Sequence, residues 1–212
     1  MEPSAFASQY PRVYHVALAR NWRLIARNGL RCTTALLNAA DPNQASRRAS
    51  LETSRRASMA ELPLADGTKA YLRDNLPIQD KQLRRLLDPG TSLQDWYRLL
   101  SARLFFWLEL PAAMEFAAAY PDHEQVLLTL DTARLLAACG PRVALTRVNC
   151  GVARGGGSRG PSTFVRLEDA APKTKYVELT VEGEVLDAAG LCVERWSLVD
   201  GKAVTRLDTG FA

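Results

Sequence analysis

Leu104-Phe105-Phe106-Trp107-Leu108 is the most apolar run in the chain, and it constrains the fold more than any other stretch. It is too short for a buried helix, and its aromatic content favours extended backbone. It therefore reads as a central strand buried on both faces. Such a strand needs neighbours, and the sequence supplies them. Val13–Val16 and Gln125–Leu130 are apolar enough to be buried, and Val143–Val148 alternates. Lys69–Leu72 follows the turn Asp66-Gly67-Thr68. In Tyr176–Val181 the alternation is strict, with Tyr176, Glu178 and Thr180 on one face and Val177, Leu179 and Val181 on the other. Leu191–Leu198 and Ala203–Leu207 flank Asp200-Gly201, a hairpin signal.

Short helices are signalled between these strands. Asn21–Leu30 carries Trp22, Ile25 and Ala26 on one face, Arg20, Arg23 and Arg27 on the other, and Gly29 as a left-handed terminator. A further turn of helix follows Cys32, with Thr33 or Thr34 as its cap, and Asp80 is placed to cap Lys81–Leu87. Thr91 or Ser92 opens Leu93–Ala102, Pro111 starts another helix, and Asp131 caps Thr132–Ala138. Residues 1–11 read as a loose arm. Six to eight strands with interleaved short helices predict one α+β domain over residues 1–212, with largely antiparallel sheets rather than a doubly wound one.

Two segments stand apart. Residues 40–60 contain Ser46-Arg47-Arg48-Ala49-Ser50 and the near-copy Ser54-Arg55-Arg56-Ala57-Ser58, a solvated helix or a mobile basic loop. Residues 149–163 are glycine-rich, but no strand-to-helix transition follows, which argues against a dinucleotide-binding Rossmann fingerprint. Arg154 and Arg159 within it suit closure over phosphates.

Composition excludes several classes. At 212 residues the chain is long enough for a substantial core, and 47% hydrophobic with 24% charged residues is ordinary for a globular protein. No apolar run approaches the ~20 residues of a membrane span, and Met1-Glu2-Pro3-Ser4 does not begin a secretory signal. Cys32, Cys139, Cys150 and Cys192 have neither C-x-x-C spacing nor a nearby histidine, so no metal site is indicated. They read as buried thiols of a reducing cytoplasm. The net charge of +4 permits a nucleotide or nucleic-acid partner without requiring one.

Tyr14-His15, the helix closed by Gly29-Leu30, the strand Phe105-Phe106-Trp107 and the late strand Val177-Glu178-Leu179-Thr180-Val181 come in an order that resembles the ADP-ribosyltransferase superfamily. DarT-type DNA ADP-ribosyltransferases are the nearest by pattern, and tRNA 2′-phosphotransferases are more distant. The chain also resembles a group of bacterial proteins sharing YH…NW..I…GL, RD…P, DWYRLL..R.FFWL and G..TF. The resemblance implies a split β-sheet pocket that takes NAD⁺ as substrate, with His15 on a ribose and Glu178 as the catalytic glutamate. It makes Arg73 and Arg103 candidates for the active-site arginine. Tyr14, Thr33, Arg159 and Phe106 become candidate NAD⁺ contacts. It further implies a nucleic acid or protein acceptor, a toxin or defence role, and an antitoxin partner. The usual Tyr or Ser of the central strand has no counterpart in Phe105-Phe106-Trp107. From spacing alone Glu178 is as well read as a solvated residue, and His123 has no assigned role.

The chemistry fits those residue types. Breaking the nicotinamide–ribose bond develops positive charge on the ribose, which a carboxylate stabilises more in the transition state than in the ground state. A neutral imidazole holding a ribose hydroxyl contributes orientation.

Overall fold

The computed structural model describes residues 1–75, 77–153, 157–199 and 202–207. The chain opens with α1 (Pro3–Gln9), β1 (Arg12–Leu18), α2 (Trp22–Asn28), β2 (Leu30–Arg31), α3 (Thr33–Asn38) and α4 (Ala45–Thr53). It continues through β3 (Ala60–Pro63), β4 (Lys69–Leu72), α5 (Asp80–Leu83), α6 (Leu93–Ser101), β5 (Arg103–Trp107) and α7 (Leu110–Ala118). Then come β6 (Gln125–Asp131), α8 (Thr132–Cys139), β7 (Val143–Thr146), β8 (Val165–Arg166) and β9 (Glu178–Glu182). β10 (Glu184–Val185), α9 (Ala188–Leu191), β11 (Cys192–Val199) and β12 (Lys202–Leu207) complete it.

The main sheet has eight strands in the order β12-β11-β6-β1-β5-β9-β7-β8, with every pairing antiparallel. β6 is buried along almost its whole length because it lies between β11 and β1 under helices on both faces. The expected hairpin of β11 and β12 is formed, while its turn residues Asp200 and Gly201 lie outside the described residues. On one face Phe6, Ile25, Leu135, Leu136 and Leu191 pack on Val13, Leu104, Phe106, Leu128, Leu130 and Leu179. On the other, Ala113 and Ala117 of α7 pack on Val16, Trp107 and Leu127. A β3–β4 hairpin closes over α3 and α4 in a separate small core.

The sheet is nearly two sheets. β1 pairs with β6 over seven residues, and β5 pairs with β9 over five. β1 and β5 themselves meet in one residue pair, Tyr14 opposite Trp107. This seam divides β12-β11-β6-β1 from β5-β9-β7-β8.

Some local expectations are met and others change. Residues 1–11 are not a loose arm, because Phe6 is fully buried and the Met1 amino group donates to the carbonyls of Leu167 and Glu168. The 40–60 segment includes α4, whose Leu51 is buried and whose Arg48 pairs with Glu52. Cys32, not Thr33 or Thr34, caps α3, its sulfur accepting from the Ala35 amide. Asp80 lies inside the single turn of α5 rather than at its cap. Ser92 and Asp95 form a capping box at α6, and Asp131 caps α8 through the Arg134 amide. Gly29 ends α2 at φ +77°, where a side chain would overlap the carbonyls of Val185 and Leu186.

Candidate functional site

At the seam, His15 takes the place of a backbone donor. Its Nδ1 lies 2.8 Å from the Phe105 carbonyl oxygen of β5. A carbonyl only accepts, so Nδ1 carries the proton and Nε2 is left as an acceptor. Burial pushes the imidazole down to about 4, with the Phe105 bond opposing and the Arg73 charge assisting. His15 is therefore neutral near pH 7.

His15 and Glu178 line the same cavity, about 280 Å³ in volume, which opens at the seam. Glu178 is the first residue of β9 and only 2% exposed, so it is not the solvated residue that spacing allows. The sheet register sets Tyr14, Trp107, Glu178 and Thr146 in one row across four strands. The Cys150 amide donates to Glu178 Oε2 at 3.2 Å, and Thr146 Oγ1 lies 3.1 Å from the same oxygen. Thr146 Oγ1 also lies 2.8 Å from the Val148 carbonyl, and a hydroxyl has one proton to give. Giving it to Val148 leaves the Thr146 oxygen best matched to a protonated Glu178. Burial pushes this carboxyl up to about 7, against the Cys150 and Thr146 bonds and the Arg159 charge. Its two protonation states are thus close in free energy at neutral pH.

Arg73, Arg103 and Thr33 also line the cavity. Arg73 donates from Nη1 to Gln125 Oε1 at 2.7 Å and lies over the rings of Tyr120 (4.7 Å) and Phe116 (5.2 Å). Its Nη2 is buried with no hydrogen-bond partner among the described residues. Burial lowers its pKa to about 10, against Tyr120 and Asp74. Arg103 is already engaged: it pairs with Glu182 at 3.2 Å, donates to the Leu99 carbonyl and covers the Phe164 ring at 4.2 Å. Of the two candidate arginines, Arg73 has the spare donor.

Three of the sequence candidates lie elsewhere. Tyr14 is not on the cavity wall but lines a separate hollow with Met114, Leu127 and Trp196. Phe106 is fully buried in the core and meets His15 in a tilted ring contact, with centroids 5.4 Å apart. Phe105 and Trp107 line the cavity in its place. Arg159 is fully buried, and its guanidinium donates to the carbonyls of Gly157, Asn149 and Val152. It holds the glycine-rich loop together from inside instead of reaching out to phosphates. Arg154 lies outside the described residues.

Asp74, Arg56 and Tyr120 on the same wall escaped the sequence reading. Asp74 stands beside Arg73 in the RD…P pattern, but nothing in its spacing marks it as buried. Tyr120 lies just past the end of α7, beyond the reach of any local pattern.

Residues 11–192 match the model of a family described as a family of unknown function, DUF7002. The chain belongs to this family. No curated protein and no solved structure matches it. The DUF7002 match takes in both lips of the seam and both His15 and Glu178, and it stops at the start of β11.

Proposed function

We propose that this DUF7002 protein binds NAD⁺ in the seam cavity and transfers ADP-ribose to an acceptor on nucleic acid or protein. The observation that carries the reading is that His15 and Glu178, from opposite halves of the sheet, line one cavity. The neutral His15 keeps an acceptor nitrogen for a ribose hydroxyl. Glu178 in its ionised form stabilises the positive charge that develops at the ribose C1′ as nicotinamide leaves. The spare Nη2 of Arg73 suits the anionic part of the dinucleotide, and Phe105 and Trp107 offer faces for stacking.

The test is turnover of labelled NAD⁺ by the full chain with separate DNA, RNA and protein pools. Nicotinamide release with label fixed to one pool is expected, falling ~10²–10³-fold in Glu178→Gln. Absence of both turnover and a thermal shift by NAD⁺ would leave a non-catalytic binding module. Arg31, Arg56, Arg73 and Arg103 on the cavity wall favour a second reading, transfer of a 2′-phosphate from RNA. A 2′-phosphorylated oligonucleotide in the same assay tests it by loss of its phosphate.

A further inference from the structure

Arg159 is a charged side chain with 0% exposure that the chemistry proposed above does not use. A buried cation normally sits against a carboxylate. Among the described residues none lies within ion-pair distance of this one. Its guanidinium donates instead to three backbone carbonyls, those of Gly157 at 3.1 Å, Val152 at 3.3 Å and Asn149 at 3.5 Å. Asn149 and Val152 stand on either side of Cys150, whose amide donates to Glu178 Oε2 at 3.2 Å. The backbone of Arg159 is fixed in turn. Its amide donates to the Leu86 carbonyl at 2.6 Å, and its own carbonyl accepts from the Asp88 amide at 2.9 Å. The Asp88 carboxylate accepts from the hydroxyls of Ser158 and Ser162. A connected set of hydrogen bonds thus runs from the Leu86–Asp88 segment through Arg159 and the loop to the carboxyl of Glu178.

With its catalytic consequence resting on the NAD⁺ reading, we infer that Arg159 is the positioning residue of Glu178, holding the Cys150 amide on the carboxyl and supplying a positive charge that favours its ionised form. Geometry and charge act in the same direction. An N–H aimed at a carboxylate and a cation in a water-poor surrounding both favour the anion. Burial raises the Glu178 pKa, while the Cys150 and Thr146 bonds and the Arg159 charge oppose it. The other charged or titratable groups near this carboxyl are the Cys150 thiol in the loop, His15 across the seam, Arg103 of β5, and Arg73 and Asp74 after β4. All of them are retained when Arg159 is replaced. The planar fork of an arginine reaches several carbonyls at once, which a single ammonium does less well.

The test is a carbon-13 NMR titration of the Glu178 carboxyl in the full chain without NAD⁺, its signal assigned by its absence in Glu178→Gln. In Arg159→Gln the midpoint moves up by about one pH unit. Arg159→Lys keeps a cation and donors, and its midpoint stays nearer to that of the unsubstituted protein. Asp88→Ala releases Ser158 and Ser162 and loosens the loop. Its midpoint also moves up, although removal of a negative charge alone would move it down. An unmoved midpoint in Arg159→Gln, or equal midpoints in the Lys and Gln variants, overturns the inference. If Arg159→Gln does not fold, an unmoved or lowered midpoint in Asp88→Ala overturns it. NAD⁺ turnover followed against pH has its rising limb displaced by the same amount in Arg159→Gln, whereas a lower plateau with an unmoved limb would reduce Arg159 to a structural role. A displaced titration with no turnover by the unsubstituted protein refutes the NAD⁺ reading and leaves the positioning of Glu178 in place.

Discussion

Glu178→Gln should make the protein more stable, by an amount that depends on pH in a way the site dictates. The carboxyl titrates near 4.5 in an unfolded chain and at about 7 in the fold, where burial is the main cause. Between those values the folded protein keeps a proton that the unfolded chain has released. Stability therefore falls as pH rises through this window. A difference of about 2.5 pH units corresponds to about 3 kcal/mol of folding free energy, fully lost above pH ~7. Glutamine is a neutral isostere that still accepts from the Cys150 amide, so it removes the penalty without leaving a cavity. The stability advantage of Glu178→Gln should thus grow by up to about 3 kcal/mol between pH 4.5 and pH 8. In thermal terms that is roughly 6–12 °C for a chain of this size. Urea unfolding at a series of pH values measures it. An advantage independent of pH would refute the claim that a buried, proton-holding carboxyl sits at this position.

His15 should show the opposite slope: its neutral folded form and protonatable unfolded form make stability fall as pH drops from 6.5 towards 4. The advantage of His15→Gln over the unsubstituted protein should therefore widen on acidification, and a constant difference in urea midpoints would count against it. Gly29→Ala should destabilise by more than ~2 kcal/mol, since φ +77° is strained for alanine and the added methyl meets fixed backbone carbonyls. An unchanged unfolding midpoint would show that α2 can shift away from β10 at no cost.

The sequence legibly encodes what local physics decides. Asp131 and Ser92 cap helices as their side chains require, and Gly29 ends α2 because few other residues adopt its dihedral. The central position of β5 follows from the apolar run Leu104–Leu108, which has no polar face. The same uniformity hides which of its aromatics meets the cavity, so Phe106 and Phe105 exchange roles. Arg159 reads as a free cation because its partners are backbone carbonyls, and carbonyls are invisible in a residue string. Glu178 reads as solvated on an alternating strand because the loop carrying Cys150, which buries it, is distant in sequence. The pairing of Asp74 with His123 depends on how β4 and α7 come together, and no periodicity announces it.

The seam has a mechanical consequence. Seven residue pairs lock β1 to β6 and five lock β5 to β9, yet within the sheet, among the described residues, one strand pair and the His15–Phe105 bond join the two plates. Changing the angle between the plates disturbs far fewer bonds than bending either plate. A ligand touching His15 on one plate and Glu178 on the other acts as a clasp across this weak joint. Its affinity then includes the work of setting the plate angle, so a mutation at Tyr14, away from the cavity wall, tunes binding like a spring constant.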